Sequence, residues 1–134
     1  MENVWKQAEL LASMPTRVGL LRDVCSVLSS EEIDIRSIEA YDNDSSGEFY
    51  LITSNDALAA ERLAEMGADI GSNEVVCAEL ENHPGALLDL ATAIADAGIN
   101  IWQMRATSAP GNETTLVVFR VEDPGVLAEM LRRV

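Results

Sequence analysis

The stretch ENHPGALLDLATAIADAGINI, Glu81 to Ile101, decides the fold. It sets an Asn-x-Pro-Gly turn at the head of an amphipathic helix and ends on Gly-Ile-Asn-Ile, where a strand begins. Leu87, Leu90 and Ile94 recur at helical spacing. Pro84 suits a helix start, because first-turn N–H groups have no intrahelical partner to lose. Gly85 leaves those N–H groups open, and with the positive end of the helix dipole they offer a seat for a carboxylate. Asn82 can donate and accept, and it suits either a ligand contact or a local cap.

Working outward, the chain repeats itself at an offset of 66 positions. Gly19, Leu21, Asp23, Ile33, Ile35 and Ala40 fall on Gly85, Leu87, Asp89, Ile99, Ile101 and Ala106. Six identities in about forty positions exceed the roughly two or three that composition alone gives. Each half reads strand, helix, strand, strand, helix. The strands are predicted at 4–12, 34–42, 48–54, 74–81, 100–107 and 114–121. The helices are predicted at 17–30, 56–66, 84–97 and 124–133. Asp123-Pro124 reads as a cap followed by a helix-opening proline, and Asp56 as the cap of the corresponding helix. The stretches 42–48 and 108–113 are rich in turn residues and read as hairpin loops.

This pattern predicts an α+β protein of two ferredoxin-like units, 1–72 and 73–134, lying side by side. Each unit has an antiparallel sheet with its helices on one face. A complete unit has a fourth strand after its second helix, yet the chain runs out at LRRV, so the second unit lacks its last strand. The N-terminal segment is long enough to cover part of that gap. A second copy is the other source, and a homodimer through sheet edges or helices is the expected working form.

Composition narrows the function. A formal net charge of -14, with eight Arg and one Lys, repels phosphate backbones and anionic lipid. Neither nucleic acid nor a membrane is an expected partner, and no apolar run reaches the ~20 residues of a membrane span. Cys25 and Cys77 stand far apart on apolar stretches and read as buried thiols, consistent with a reducing cytoplasm. One His and one Lys cannot supply a nucleophilic triad or a phosphate loop, so no catalytic residue and no cofactor is predicted. Asp42, Asp44 and Glu48 read as a charged hairpin rather than a calcium loop, and no metal site is predicted. Trp102, Met104 and Ala106 share one strand face and read as core or interface, with Gln103, Arg105 and Thr107 solvated on the other.

A βαββα unit that opens with ENHPGALLDL and continues AGINI resembles the ACT domain, a family of small regulatory modules that bind amino acids and related ligands. The likeness covers nearly the whole chain twice and is degraded in the first half, where MPTRVGLL replaces the Asn-x-Pro-Gly turn. It implies a stand-alone tandem ACT protein binding a small amino acid or similar zwitterion. In the family such ligands sit between two domains, against the turn after the first strand and the Asn of Gly-x-Asn-Ile. The implied ligand-binding residues are Asn82, His83, Pro84, Gly85, Ala86, Leu87, Asn100 and Ile101, with Asn82 and Asn100 facing one pocket. His83 fills the variable slot and reads mainly as an exposed spacer. Leu80 stands where serine-sensing members carry a histidine, which puts serine itself in doubt. Two alternatives remain: a regulatory subunit of an amino-acid-metabolism enzyme, and a structural dimerisation module with no ligand.

Overall fold

The computed structural model describes Met1 to Val134, which form six strands and four helices. In chain order they are β1 (Val4–Pro15), α1 (Leu20–Ser30), β2 (Ile35–Asp42), β3 (Ser46–Thr53), α2 (Asp56–Glu65), β4 (Asp69–Glu81), α3 (Ala86–Asp96), β5 (Ile101–Thr107), β6 (Thr114–Val121) and α4 (Pro124–Arg132). The chain divides into two compact units. The first is Ala8–Asn73, and the second joins Met1–Gln7 to Glu74–Val134. The long strands β1 and β4 therefore each give one end to either unit.

In the first unit the strands run in the order β2-β3-β1-β4. β3 pairs antiparallel with both β1 and β2, in the register Leu10↔Leu51 and Ile38↔Leu51. Period-two alternation turns Leu10, Ala12 and Met14 inward against Leu20, Val24 and Leu28 of α1 and Ala59 and Leu63 of α2. Each fully buried leucine contributes on the order of 1.5–3 kcal/mol. Helix α2 is capped by Asn55, whose Oδ1 accepts from Leu58 N at 3.1 Å, and not by Asp56 as the sequence suggested. The Asp56 carboxylate instead turns back and accepts from Thr53 Oγ1 at 2.5 Å.

The second unit is built on the same plan, with strands in the order β1-β4-β6-β5. Val76 and Ala78 of β4 and Val117, Phe119 and Val121 of β6 pack with Leu90 and Ile94 of α3 and Leu127, Ala128 and Leu131 of α4. Asp123 caps α4 as expected, its Oδ1 accepting from Val126 N at 3.2 Å. The start of the chain lies beside β4 in this unit. Asn3 O accepts from Glu79 N at 3.0 Å, and Asn3 Nδ2 donates to Glu79 Oε2 at 3.0 Å. Val4 drops into the core at 8% exposure, and its carbonyl accepts from Arg132 at 3.4 Å. β4 has β1 as its neighbour on one side, and its Val76–Glu81 stretch pairs with β6 on the other.

Strand β5 is the edge of the second unit, and neither helix covers its outer residues. Trp102 is 56% exposed and Met104 36% exposed. Gln103 and Arg105 on the other face are half-buried with polar partners rather than solvated. Cys77 is a buried free thiol as expected, whereas Cys25 is half-buried.

The second unit's dependence on the chain start is measurable. Val4→Asp places an unpartnered carboxylate among aliphatic side chains and should lower stability by about 3 kcal/mol in urea denaturation. Lys6→Ala removes only a long, solvent-screened ion pair to Glu74 (3.9 Å), so its expected cost is under about 1 kcal/mol. Equal midpoints for the two variants would show that residues 1–7 do not close this core.

Candidate ligand site at the head of helix α3

The turn between β4 and α3 is held by its backbone first. His83 N donates to Glu81 O at 3.1 Å and Ala86 N to His83 O at 3.2 Å. Gly85 has φ +89° and precedes the helix, which begins at Ala86. Pro84 therefore lies in the turn and not in the first helical turn. A Cβ on Gly85 would meet nothing within 4 Å, so the glycine answers a left-handed backbone and not a lack of space. The first unit builds the same turn, with Gly19 at φ +87° before α1.

Beyond Ala86, no carbonyl of the turn accepts from Leu87 N or Leu88 N. These two amides are the free donors at the positive end of an 11-residue helix. Leu87 borders a cavity of about 200 Å³ whose lining also includes Leu80, Glu81, Asn82, His83, Ala86, Ala106, Ser108 and Thr115. A second, larger groove of about 610 Å³ opens on the other side of His83, between Asn3, Glu79, Glu81, Asp89 and Leu90. No Lys or Arg lines either space.

Asn82 does not point its donors at either opening. Its Nδ2 donates to Asn112 O at 2.9 Å and to Ala109 O at 3.3 Å, both on the β5–β6 loop. Its backbone N–H donates to Glu113 O at 2.9 Å. Two carbonyl oxygens can be met only by the nitrogen of the amide, which fixes the side chain's orientation.

Within one copy of the chain the structure does not bring Asn100 and Ile101 to this turn. β4 and β5 both run antiparallel to β6, with Glu81 opposite Thr114 and Ile101 opposite Val121. At roughly 3.3 Å per residue those two ends of β6 are about 23 Å apart. Asn100 is exposed at the far end, and Ile101 packs against the second unit's core. Of the residues singled out from sequence, Asn82, His83, Ala86 and Leu87 line the small cavity. Glu81, Ala106, Ser108 and Thr115 line it as well and were missed, Ser108 because its loop read only as a hairpin turn.

His83 is exposed, with Nδ1 3.0 Å from Pro84 O and Nε2 3.1 Å from Glu81 Oε2. Both neighbours are acceptors, so only the imidazolium satisfies both. The Pro84 carbonyl first, and the Glu81 carboxylate second, raise its pKa above the ordinary 6.5. In the first unit the corresponding turn is charged instead. Asp23 is met by Arg17 at 2.7 Å and by Arg22 at 3.0 Å, and these two guanidiniums hold its carboxyl below the usual 3.8.

A search of curated protein sequences finds no match to this chain. Residues 74–134 match the family model described as ACT domain. Among solved structures, a protein of Bacteroides thetaiotaomicron superposes with a TM-score of 0.88 at 23% identity, covering 98% of this chain and 90% of that one. The regulatory subunit of aspartate kinase from Thermus thermophilus, in its ligand-free form, gives 0.67 at 15% identity, covering 98% and 95%. That from Thermus flavus gives 0.64 at 19% identity, covering 98% and 93%. These likenesses establish the fold: α+β, with βαββαβ units of the ferredoxin-like ACT type. No helix is long and apolar enough to cross a membrane.

The His83 contacts yield a pH test. A raised pKa means that protonation stabilises the turn fully below the unfolded value and that this contribution is lost as pH rises through the folded one. An NMR titration should place the His83 midpoint above 6.5. Glu81→Gln should move it down. A midpoint at or below 6.5 in the unmodified protein would contradict these contacts.

Proposed function

We propose that the chain is a tandem ACT regulatory protein, without catalytic activity of its own, that senses a small amino acid at the head of α3. The observation that carries this reading is the pair of unpartnered amides at the head of α3, Leu87 and Leu88, the first of which borders a cavity sized for a small molecule. They provide a seat for one carboxylate. The acidic surroundings, Glu79, Glu81 and Asp89 among them, favour an ammonium group and oppose a second anionic group. A zwitterion satisfies both demands, whereas nucleotides and phosphosugars do not.

Asn100 enters this site from a second copy. Two copies paired antiparallel along their β5 edges place the Asn100 end of one strand beside the Thr107 end of the other, next to the turn. The face of β5 that such pairing would extend carries the exposed Trp102 and Met104, with exposed Leu87 on α3 nearby in sequence to the seat. A homodimer closed in this way completes the ligand site and covers an apolar edge at once. Cys25 and Cys77 are free thiols, in keeping with work in the cytoplasm. The relatives of like fold that are regulatory subunits of aspartate kinase supply the second reading, in which the same sensor rides on an amino-acid-metabolism enzyme.

A thermal-shift screen of the twenty amino acids tests the proposal, because a ligand that binds only the folded state raises Tm. At least one amino acid should raise it, and no nucleotide should do better. Asn100→Ala should weaken that binding by about tenfold or more without unfolding the protein. Trp102→Glu should convert the dimer to monomer in light scattering and abolish the shift together with it. Silence of all twenty amino acids, or full binding by a monomeric Trp102→Glu variant, would contradict the proposal.

A further inference from the structure

We propose that Asn82 is a positioning residue rather than a ligand contact, and that selection among ligands lies with Ser108 on the loop it holds. The inference deepens the amino-acid reading and rests on it for what enters the cavity. Ser108–Glu113 is exposed throughout and lies between strand ends, beyond the last β5–β6 pair at Thr107↔Leu116. The Asn82 side chain hydrogen-bonds to it twice. Its amide nitrogen bridges Ala109 O and Asn112 O, and its backbone N–H takes Glu113 O. The loop adds a single internal bond, Asn112 N to Ala109 O at 3.1 Å, around Gly111 at φ +87°.

The consequence for the cavity is geometric. Ser108 lines it together with Leu87 and directly precedes Ala109, whose carbonyl Asn82 holds, so the clasp on the loop also positions Ser108. With both amide hydrogens engaged, Asn82 offers a ligand only the acceptor Oδ1. A ligand carboxylate cannot bind there without releasing the loop.

The repeat supplies an independent observation. Thr16 occupies the matching position in the first unit, and it too is spent on its hairpin. Thr16 N donates to Ser45 O at 3.3 Å, and Thr16 Oγ1 donates to Asp42 Oδ2 at 2.9 Å. Two different side chains at one repeat position do the same work, each tying the turn before the helix to the following hairpin. The shared role is therefore the tie, and the ligand chemistry is carried by what the tie holds in place.

The test reads the loop and the cavity separately. In hydrogen exchange on the full chain, Asn82→Ala should speed exchange across 109–113 by about tenfold or more while the strands keep their protection. Asn82→Asp, which keeps the size but cannot donate, should do the same, and it serves if the alanine variant folds poorly. Affinity is then measured with whichever of the twenty amino acids raises Tm most. Ser108→Ala should weaken it in the otherwise unchanged protein and have no further effect in the Asn82→Ala background, a non-additivity that a merely structural role for Asn82 would not produce. Unchanged loop exchange in both Asn82 variants, or additive effects of the two substitutions, overturns the proposal. Faster loop exchange with no amino acid bound upholds the tie and counts against the amino-acid reading alone.

Discussion

The second unit depends on one strand pairing, that of the chain's first residues with β4. The core formed by α3, α4 and β4–β6 also takes in the start of the chain. Met1–Gln7 closes it, with Glu79 N on Asn3 O and Val4 inserted among the aliphatic side chains. Everything proposed for function sits on the part of the molecule that this pairing completes. β4 ends at the turn, α3 starts from it, and the larger groove beside His83 is itself bordered by Asn3.

The turn shows how a local backbone demand becomes a site. Gly85 at φ +89° lets the chain leave β4 and enter α3 with two helix amides left without acceptors. A residue with a side chain would be strained there whatever the available space. Orphan donors at a helix head need water, a side chain or a ligand. Asn82 in the same turn is committed to the β5–β6 loop and does not cap them. In the first unit the same glycine turn is flanked by Arg17 and Arg22, locked to Asp23. Two turns of one geometry thus carry different surroundings: Arg17 and Arg22 paired with Asp23 in one, His83 set against Glu81 in the other.

Much of this was legible in the sequence, for reasons that also mark where legibility ends. The repeat fixed the order of elements, because apolar spacing is read locally and both halves obey it. Asp123-Pro124 was recognisable as a helix start, since cap and proline act within one turn. Asn55 and Asp56 were confused because either can cap, and the choice turned on Thr53, which draws the Asp56 carboxylate away. The distance between Asn82 and Asn100 follows from strand direction, a tertiary property that spacing along the chain does not encode. Ser108 was invisible for the same reason: nothing in its neighbours says that its loop folds back to Asn82.

The central claim is that an amino acid sits on the free amides of α3, between copies of the chain. A titration followed by amide chemical shifts tests it most directly, with the amino acid that stabilises the protein best as titrant. The account predicts that the largest changes fall on Leu87, Leu88 and Ser108, together with Asn100 about 23 Å away within the same unit. Simultaneous shifts at these two ends of the unit require that the distant Asn100 belong to a second copy at the site. Shifts confined to the groove between Asn3 and Asp89, or to the first unit's turn around Gly19, would contradict it.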